Sequence, residues 1–395
     1  MRLRRLSFAP TSNDRGQVRR VVKSRSLFVV ALVALVLLGL AFGYLMRPPR
    51  VPIAPIASPA PVSRAEDAPA PAPQVPPSPT PAVSSPLTDG IERLLDLLEK
   101  HAATSADLAA LRSMLLGSDP NEAIAAIRHF LRSGRNVTTG QDFVVAAGGI
   151  LSGTPTLRLL LLDVLGQIAR KSKSDAASQV AREILAEKSS ADEWALALRN
   201  VAWTEPRAKP FLADKMREML RYEPWRAAPS AGMLEALDVV VFSKDASFIP
   251  DLADARATSN ELAHAADIAL DRLADAAPLE ALTYLNTHPT LLNDRPFLRA
   301  DYFAKADLSQ PAQRAQIEIY LGRPDIAVPE KTKLLKALVA PASFVGDSLV
   351  ASPAPPDDGA ARRTGLIQAA SEWLTHDRFP SLREPLTEIQ QRLAR

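Results

Sequence analysis

An uncharged, strongly apolar segment, Ser26 to Met46, constrains the architecture more than any other feature. Its 21 consecutive residues include no Asp, Glu, Lys or Arg, and Arg25 and Arg47 lie directly at its two ends. As an α-helix rising about 1.5 Å per residue, the segment is about 31 Å long, which is the hydrocarbon thickness of a bilayer. We therefore predict a single transmembrane helix over residues 26–46.

The charges around this segment predict its orientation. Residues 1–25 carry eight Lys and Arg against one Asp, a net charge of +7. Basic residues stay on the cytoplasmic side, so residues 1–25 are predicted to be a cytoplasmic tail and the C-terminal domain to be periplasmic, with the anchor in the inner membrane. The residues predicted to flank the membrane are Arg19, Arg20, Lys23, Arg25, Tyr44 and Arg47.

A cleaved signal peptide is the alternative interpretation of the N-terminus. Small residues do occur at Gly39, Ala41 and Gly43, in the pattern of a cleavage site. However, the apolar run exceeds the usual core of about 7–15 residues in a signal peptide. An uncleaved signal-anchor is therefore favoured.

A proline-rich stretch follows the apolar segment. Residues 47–87 contain 14 of the 34 prolines, mixed with Ala, Val and Ser. Proline lacks the backbone N–H that helices and sheets need, so we predict a disordered, partly polyproline II linker. At about 3.1 Å per residue it reaches about 120 Å when fully stretched, far enough to hold a domain well away from the membrane.

From Thr88 onward the hydrophobic period changes to that of amphipathic helices. Ile91, Leu94, Leu95 and Leu98 are spaced i, i+3, i+4 and i+7, with Thr88 or Asp89 as the expected N-cap. Later segments repeat this pattern, for example "SDPNEAIAAIRHFLRSG", with Asp119 and Pro120 at its start and Gly134 at its end. The sequence predicts an all-α helical repeat domain over 88–339, a loop over 340–358 and C-terminal capping helices over 359–395.

The helices also recur at a regular interval. Similar helix cores end at Ile168, Val201, Val241 and Leu273, which are 33, 40 and 32 residues apart. A helix pair at this interval is typical of an α-solenoid. The segment "TPTLRLLLLDVLGQIARKSKSDAASQVAREIL", with Gly166 at the expected helix crossing, resembles HEAT-like repeats. That resemblance implies a solenoid of antiparallel helix pairs that binds proteins, and it implies no chemistry; an irregular helical bundle is the alternative.

Composition and motifs give no indication of an enzyme, a cofactor or a metal. The chain has no Cys, and residues 88–395 hold 36 basic and 41 acidic residues, which argues against a nucleic-acid partner. "GDSL" at Gly346–Leu349 matches the nucleophile block of the GDSL esterases by letters, but no Asp-x-x-His follows it. "GGILSGT" begins like a P-loop, yet Thr154 stands where the lysine belongs, so a helix end and turn is expected there.

One surface cluster is a candidate for partner binding. "RYEPWR" places Arg221, Tyr222, Trp225 and Arg226 in a turn between helices, and aromatic residues with Arg are common interface anchors. Packing between repeats is the alternative role for Trp225. The sequence as a whole predicts a non-catalytic, membrane-anchored scaffold for a partner protein. A module that binds a small molecule or a cell-wall polymer between helices is the second possibility.

Overall fold

The computed structural model of the chain describes residues 85–205, 207–258, 260–341, 346–350 and 359–393. The predicted cytoplasmic tail, the predicted transmembrane segment 26–46 with its six flanking residues, and most of the predicted linker lie outside these residues. Within the described part, no helix is both long enough and apolar enough to cross a membrane.

The described part of the chain is almost entirely helical, which confirms the all-α prediction. Its α-helices in chain order are α1 (Pro86–Glu99), α2 (Ser105–Gly117), α3 (Pro120–Arg132), α4 (Leu157–Ser172), α5 (Asp175–Ile184), α6 (Ala191–Thr204), α7 (Lys209–Arg221), α8 (Glu223–Ala227), α9 (Ala231–Ala236), α10 (Asp238–Ser243), α11 (Ile249–Arg256), α12 (Glu261–Ala276), α13 (Pro278–Thr287), α14 (Pro296–Phe303), α15 (Pro311–Gly322), α16 (Val328–Val339), α17 (Gly359–Thr375) and α18 (Arg383–Leu393). Short 3₁₀ turns cover Ala147–Gly149, Ala246–Phe248 and Pro380–Leu382.

Local capping contacts set several helix ends. Asp119 caps α3 by accepting from two backbone N–H groups, Pro120 is its first residue, and Gly134 beyond its end has φ +71°, as the sequence predicted. The start of α1 differs from the prediction. Ser85 accepts from the N–H of Thr88 and Pro86 begins the helix, so the cap is not Thr88 or Asp89. Helix α1 therefore begins at Pro86, earlier in the sequence than the apolar pattern indicated.

A small hairpin interrupts the helices between α3 and α4. Strand β1 (Val144–Val145) pairs antiparallel with β2 (Leu151–Gly153). Gly148 and Gly149 turn the chain between them with φ near +78° and +77°, a region open to glycine at little cost. The expectation of a helix end and turn at "GGILSGT" was therefore wrong: these residues form a 3₁₀ turn and a strand.

Helices that alternate along the chain pack against one another. In one set, α2 contacts α4, α4 contacts α6, and α6 contacts α9. The set then includes α10, α12, α14, α16 and α18, each of which contacts the next. In the other set, α1 contacts α3, α3 contacts α5, α7 contacts α11, and α13 contacts α15. The buried apolar residues form one cluster that extends from Leu87 to Leu393. Many of these helices thus pack against the helices two positions before and after them in the chain.

Helices α4 and α6 occupy the centre of this packing. Of the 16 residues in α4, 12 are buried, and 11 of the 14 residues in α6 are buried. Gly166 lies at their crossing, because a Cβ there would overlap the side chain of Asn200. Gly166 thus lies at a helix crossing, as the sequence predicted. Because α4 and α6 are buried on nearly all sides, any charge that they carry must be paired.

Candidate functional site

A buried ion pair joins α4 to α6. The side chains of Asp163 and Arg199 have no exposed surface, and Arg199 Nη1 donates to Asp163 Oδ1 over 2.7 Å. The same nitrogen donates to the carbonyl oxygen of Gly149 over 2.7 Å, and Nε donates to Asn200 Oδ1 over 3.1 Å. Burial lowers the pKa of Arg199, and the charge of Asp163 acts in the opposite direction. Such partners are necessary because an unpaired buried charge costs several kcal/mol.

The Asp163 carboxylate collects further donors from three other parts of the chain. The backbone N–H of Leu151 in strand β2 donates to Oδ1 over 3.2 Å. Gln167 Nε2 and Arg112 Nη1 each lie 2.8 Å from Oδ2. With its four donors, the carboxylate holds the hairpin, α2 and α6 on α4, and this positions the backbone around Gly149.

Trp203 lies half-buried beside this cluster and faces a hollow. The guanidinium carbon of Arg199 is 4.3 Å from its ring centroid, and that of Arg170 is 5.1 Å away. Arg170 also donates to the carbonyl oxygen of Gly148 over 3.2 Å. The hollow, about 420 Å³, is lined by Gly148, Ile150, Gln167, Arg170, Lys171 and Trp203, and we call it the Trp203 hollow. Two exposed cations beside an aromatic ring suit an anionic group.

A short segment without regular secondary structure, Gly346–Val350, lies against the same region, and we call it the GDSLV segment. The backbone N–H of Leu349 donates to Asp238 Oδ2 over 2.7 Å. Its carbonyl oxygen lies directly on Gly149, because a Cβ on that glycine would overlap it. The Leu349 side chain is fully buried and Val350 is 7% exposed. The segment thus joins the hairpin to the start of α10 although it lies far along the chain from both.

An acidic hollow of about 360 Å³ lies beside the GDSLV segment, between α9, α10 and α12. Its charged lining residues are Glu235, Asp238, Glu261, Arg272 and Asp347. Burial raises the pKa of Glu235, and the charges of Asp238 and Asp347 add to that rise. Among the described residues, no group of three or more His, Asp and Glu side chains is arranged to hold a metal ion.

The residues predicted to bind a partner form one cluster where α7 ends and α8 begins. The prediction of a turn is wrong for three of them, because Arg221 ends α7 and Trp225 and Arg226 lie in α8. The ring of Trp225 makes edge contacts with Tyr222 at 4.9 Å and with the buried Trp194 at 5.2 Å. Arg226 donates to Asp254 over 2.9 Å, and Arg221 lies 3.4 Å from Asp251. The structure therefore brings the four residues together. It directs Trp225 partly into the core and leaves Arg221 at the surface.

The remaining motifs have ordinary structural surroundings. Ser348 belongs to the GDSLV segment, which is coil and bend, and no strand lies between α16 and this segment among the described residues. Its neighbour Leu349 is in the core, so these four letters form a packing segment. His376, the histidine that follows this segment in the sequence, is exposed at the end of α17.

Sequence reasoning overlooked the central residues of this region. Asp163 interrupts the run "LLLLDVL", and Arg199 and Asn200 interrupt "ALALRNVAW". A charge inside a helix that is apolar on every face indicates a buried pair, and that pattern was the available signal. No feature of the local sequence indicates that Leu349 also contributes to this region.

In comparisons with known proteins, no family model, no curated protein and no solved structure matches the chain.

Proposed function

We propose that this chain is a single-pass membrane protein whose extracytoplasmic helical domain is a HEAT-like α-solenoid that holds a partner protein away from the membrane. The anchor is the uncharged segment 26–46, the spacer is the proline-rich stretch 47–87, and the binding element is the helical domain. In this proposal the domain acts by contact and carries out no reaction.

One observation carries the proposal: four buried or part-buried ion pairs, two of them between α4 and α6, connect helices at a nearly constant sequence interval. The partners in the series are 35, 36, 34 and 31 residues apart, close to the interval between the helix cores in the sequence. A stack of helix pairs gives this pattern, because each repeat contacts mainly the repeats before and after it. The pairs are Arg158–Glu193, Asp163–Arg199, Asp238–Arg272 and Arg299–Glu330.

These ion pairs also favour a rigid surface. Arg158 and Glu193 form a bidentate pair with bonds of 2.7 and 2.8 Å, and Arg299 and Glu330 form another of 2.8 and 3.0 Å. Bidentate geometry fixes the rotation of one helix on its neighbour, since both nitrogens must face both oxygens. A fixed array of helices suits a scaffold, because little ordering is left to do when a partner binds.

A second function is favoured by the Trp203 hollow. An aromatic ring with Arg170 and Lys171 beside it suits an anionic cell-wall polymer as well as a protein. Titration of an acidic wall polymer against the full-length chain, followed by tryptophan fluorescence, separates the two functions. Saturable quenching that disappears in Arg170→Ala supports the polymer, and an unchanged spectrum argues for the scaffold.

The experiment for the scaffold is chemical crosslinking in cells followed by mass spectrometry. The full-length chain is compared with a version that lacks residues 88–395 but keeps the anchor and the linker. We expect one protein to be recovered with the full-length chain alone. Identical crosslinks in both versions, or crosslinks to lipid and wall material only, would contradict the proposal.

A separate experiment tests the membrane part. Alkaline extraction should leave the full-length chain in the membrane fraction, and a protease added to the periplasm should digest the helical domain while sparing the tail. A variant with two acidic substitutions in the apolar segment, Leu35→Asp and Leu38→Asp, is the control and should be released. Release of the unaltered chain would show that residues 26–46 do not anchor it.

A further inference from the structure

The lining of the Trp203 hollow contains two cations and no acidic residue. In the part of the chain that the structure describes, neither Arg170 nor Lys171 forms an ion pair. Arg170 Nη1 donates to the carbonyl oxygen of Gly148 over 3.2 Å, and the other N–H groups of the guanidinium make no hydrogen bond to the described residues. The hollow therefore offers several charged donors to a ligand.

Two further cations lie behind the hollow. Arg112 and Arg199 both pair with Asp163, over 2.8 and 2.7 Å, so two positive charges share one carboxylate. The side chains of Asp163 and Arg199 have no exposed surface, and solvent therefore screens these charges poorly. Burial lowers the pKa of Arg199 most, and the positive charges of Arg112 and Arg170 lower that pKa further. The cations on both sides of Trp203 thus act on one another.

The end of α4 compensates part of this positive charge. Arg170 and Lys171 belong to its last turn, where cations interact favourably with the helix dipole. The four cations and the Asp163 carboxylate together carry a charge of +3. Because a helix end supplies only about half an elementary charge, about +2.5 is left without a counter-charge. An anion in the hollow would offset part of that excess.

The walls of the hollow are fixed by contacts with their own neighbours. Gln167 Nε2 donates to Asp163 Oδ2 over 2.8 Å, and Arg199 Nη1 donates to the carbonyl oxygen of Gly149 over 2.7 Å. The volume of about 420 Å³ lies in the usual range of small-molecule sites and is sufficient for a phosphate ion or one sugar residue. Such walls need little ordering when a ligand binds.

From this charge balance and geometry we infer that the Trp203 hollow is a binding site for an oxyanion, namely a phosphate or carboxylate group. Arg170 and Lys171 bind the oxyanion directly, and the charges of Arg112 and Arg199 attract it from behind the hollow. Arginine suits this chemistry because its planar guanidinium pairs with two oxygens at once. The inference rests on the second function proposed above, binding of an acidic wall polymer, and names the group of that polymer that the chain recognises.

The test measures binding of small anions to the full-length chain in a mild detergent by isothermal titration calorimetry. The probes are inorganic phosphate and glucuronate, and glucose is the uncharged match for glucuronate. Arg170→Gln and Lys171→Gln each remove one charge from the lining. Lys173→Gln is the matched control, because Lys173 directly follows α4, is exposed and does not line the hollow.

We expect phosphate, glucuronate or both to bind, and glucose not to bind. Arg170→Gln and Lys171→Gln should each weaken binding at least about tenfold, as the loss of a charge-assisted hydrogen bond does. Lys173→Gln should change binding less than about twofold, since it removes only an exposed charge. Absence of binding for both anions, or an equal loss in all three variants, would overturn the inference.

Two features of the experiment make its outcome specific. Lys171→Gln removes no hydrogen bond within the described residues, so it remains a valid test if Arg170→Gln, which loses the bond to Gly148, unfolds. Tighter binding of phosphate assigns the site to phosphate groups, and tighter binding of glucuronate assigns it to the carboxylates of acidic sugars.

The outcomes also separate this inference from the polymer function. Binding of the small anions without quenching by the polymer would keep the oxyanion site and reject the polymer as its ligand. Quenching by the polymer without binding of either small anion would reject the oxyanion site and leave the polymer function.

Discussion

Removing the charge of Asp163 tests the view that the buried ion pairs organise the domain. In Asp163→Asn the volume is kept, but the guanidinium of Arg199 is left with no carboxylate and no access to water. Loss of one partner from a buried pair costs about 3–5 kcal/mol, a large part of the 5–15 kcal/mol that keeps a typical domain folded. The structure offers Arg199 no second carboxylate, because the other groups around it are the carbonyl groups of Gly149 and residue 163, the Asn200 amide and the Trp203 ring.

The measurement is thermal and urea unfolding of the full-length chain in detergent, followed by circular dichroism and tryptophan fluorescence. For about 300 folded residues, the typical unfolding entropy of about 2.1 cal/mol/K per residue converts 3–5 kcal/mol into a fall of about 5–8 °C in Tm. The control is Asp96→Asn. That residue forms an exposed i,i+4 pair with Lys100, for which we expect less than about 0.5 kcal/mol.

A double variant, Asp163→Leu with Arg199→Met, distinguishes a charge effect from a packing effect. If the cost arises from the unpaired guanidinium, the double variant is more stable than the sum of the single variants by at least about 1 kcal/mol. If Asp163→Asn is no worse than Asp96→Asn, or if the two single losses simply add, the buried pair does not have the role assigned to it.

Three further predictions concern other residues of the domain. Gly166→Ala should lower stability by about 1–3 kcal/mol, measured by urea unfolding, because the new methyl group overlaps the side chain of Asn200. Glu235→Gln should raise Tm at pH 7. Burial and two nearby carboxylates raise the pKa of Glu235, so its charge destabilises the folded state increasingly as the pH rises above the unfolded value of 4.5. Trp225→Ala should lower Tm because it removes the ring contact with Trp194.

Each of these has an outcome that contradicts it. Gly117→Ala, at a position with open space around the new Cβ, should be harmless, and an equal loss there would remove the steric argument for Gly166. A Tm for Glu235→Gln that is higher by the same amount at pH 4 and pH 7 would rule out titration as the cause. Trp225→Ala is paired with Arg221→Ala. Loss of the crosslinked partner in Arg221→Ala at unchanged Tm would support the predicted binding cluster, and unchanged recovery would weaken it.

The parts of the fold that follow from local sequence were predictable. Asp119 caps its helix through groups two and three residues away, and Ser230 caps α9 in the same manner. The C-terminal helices predicted within 359–395 are present as Gly359–Thr375 and Arg383–Leu393. Such features depend on neighbours in sequence, so one sequence suffices to find them.

The segment that begins near Ser230 shows a limit of prediction from local sequence. The apolar run predicts one helix through Val241, but the chain forms α9 and then α10, separated at Leu237. Hairpin strands β1 and β2 were missed altogether, because strands of two and three residues contain no alternation to detect. A tertiary contact holds the hairpin, because Asp163 accepts from the N–H of Leu151 over 3.2 Å.

The long sequence separation between Asp238 and Leu349 has a consequence for the time course of biosynthesis. Asp238 precedes Leu349 by 111 residues. At about 5–20 residues per second, the ribosome completes Asp238 about 6–22 s before it reaches Leu349. Arg272, which binds the same carboxylate, is also made before Leu349. The hydrogen bond from the Leu349 N–H to Asp238 is therefore among the last contacts of the domain to form, and a chain that ends before Leu349 lacks it.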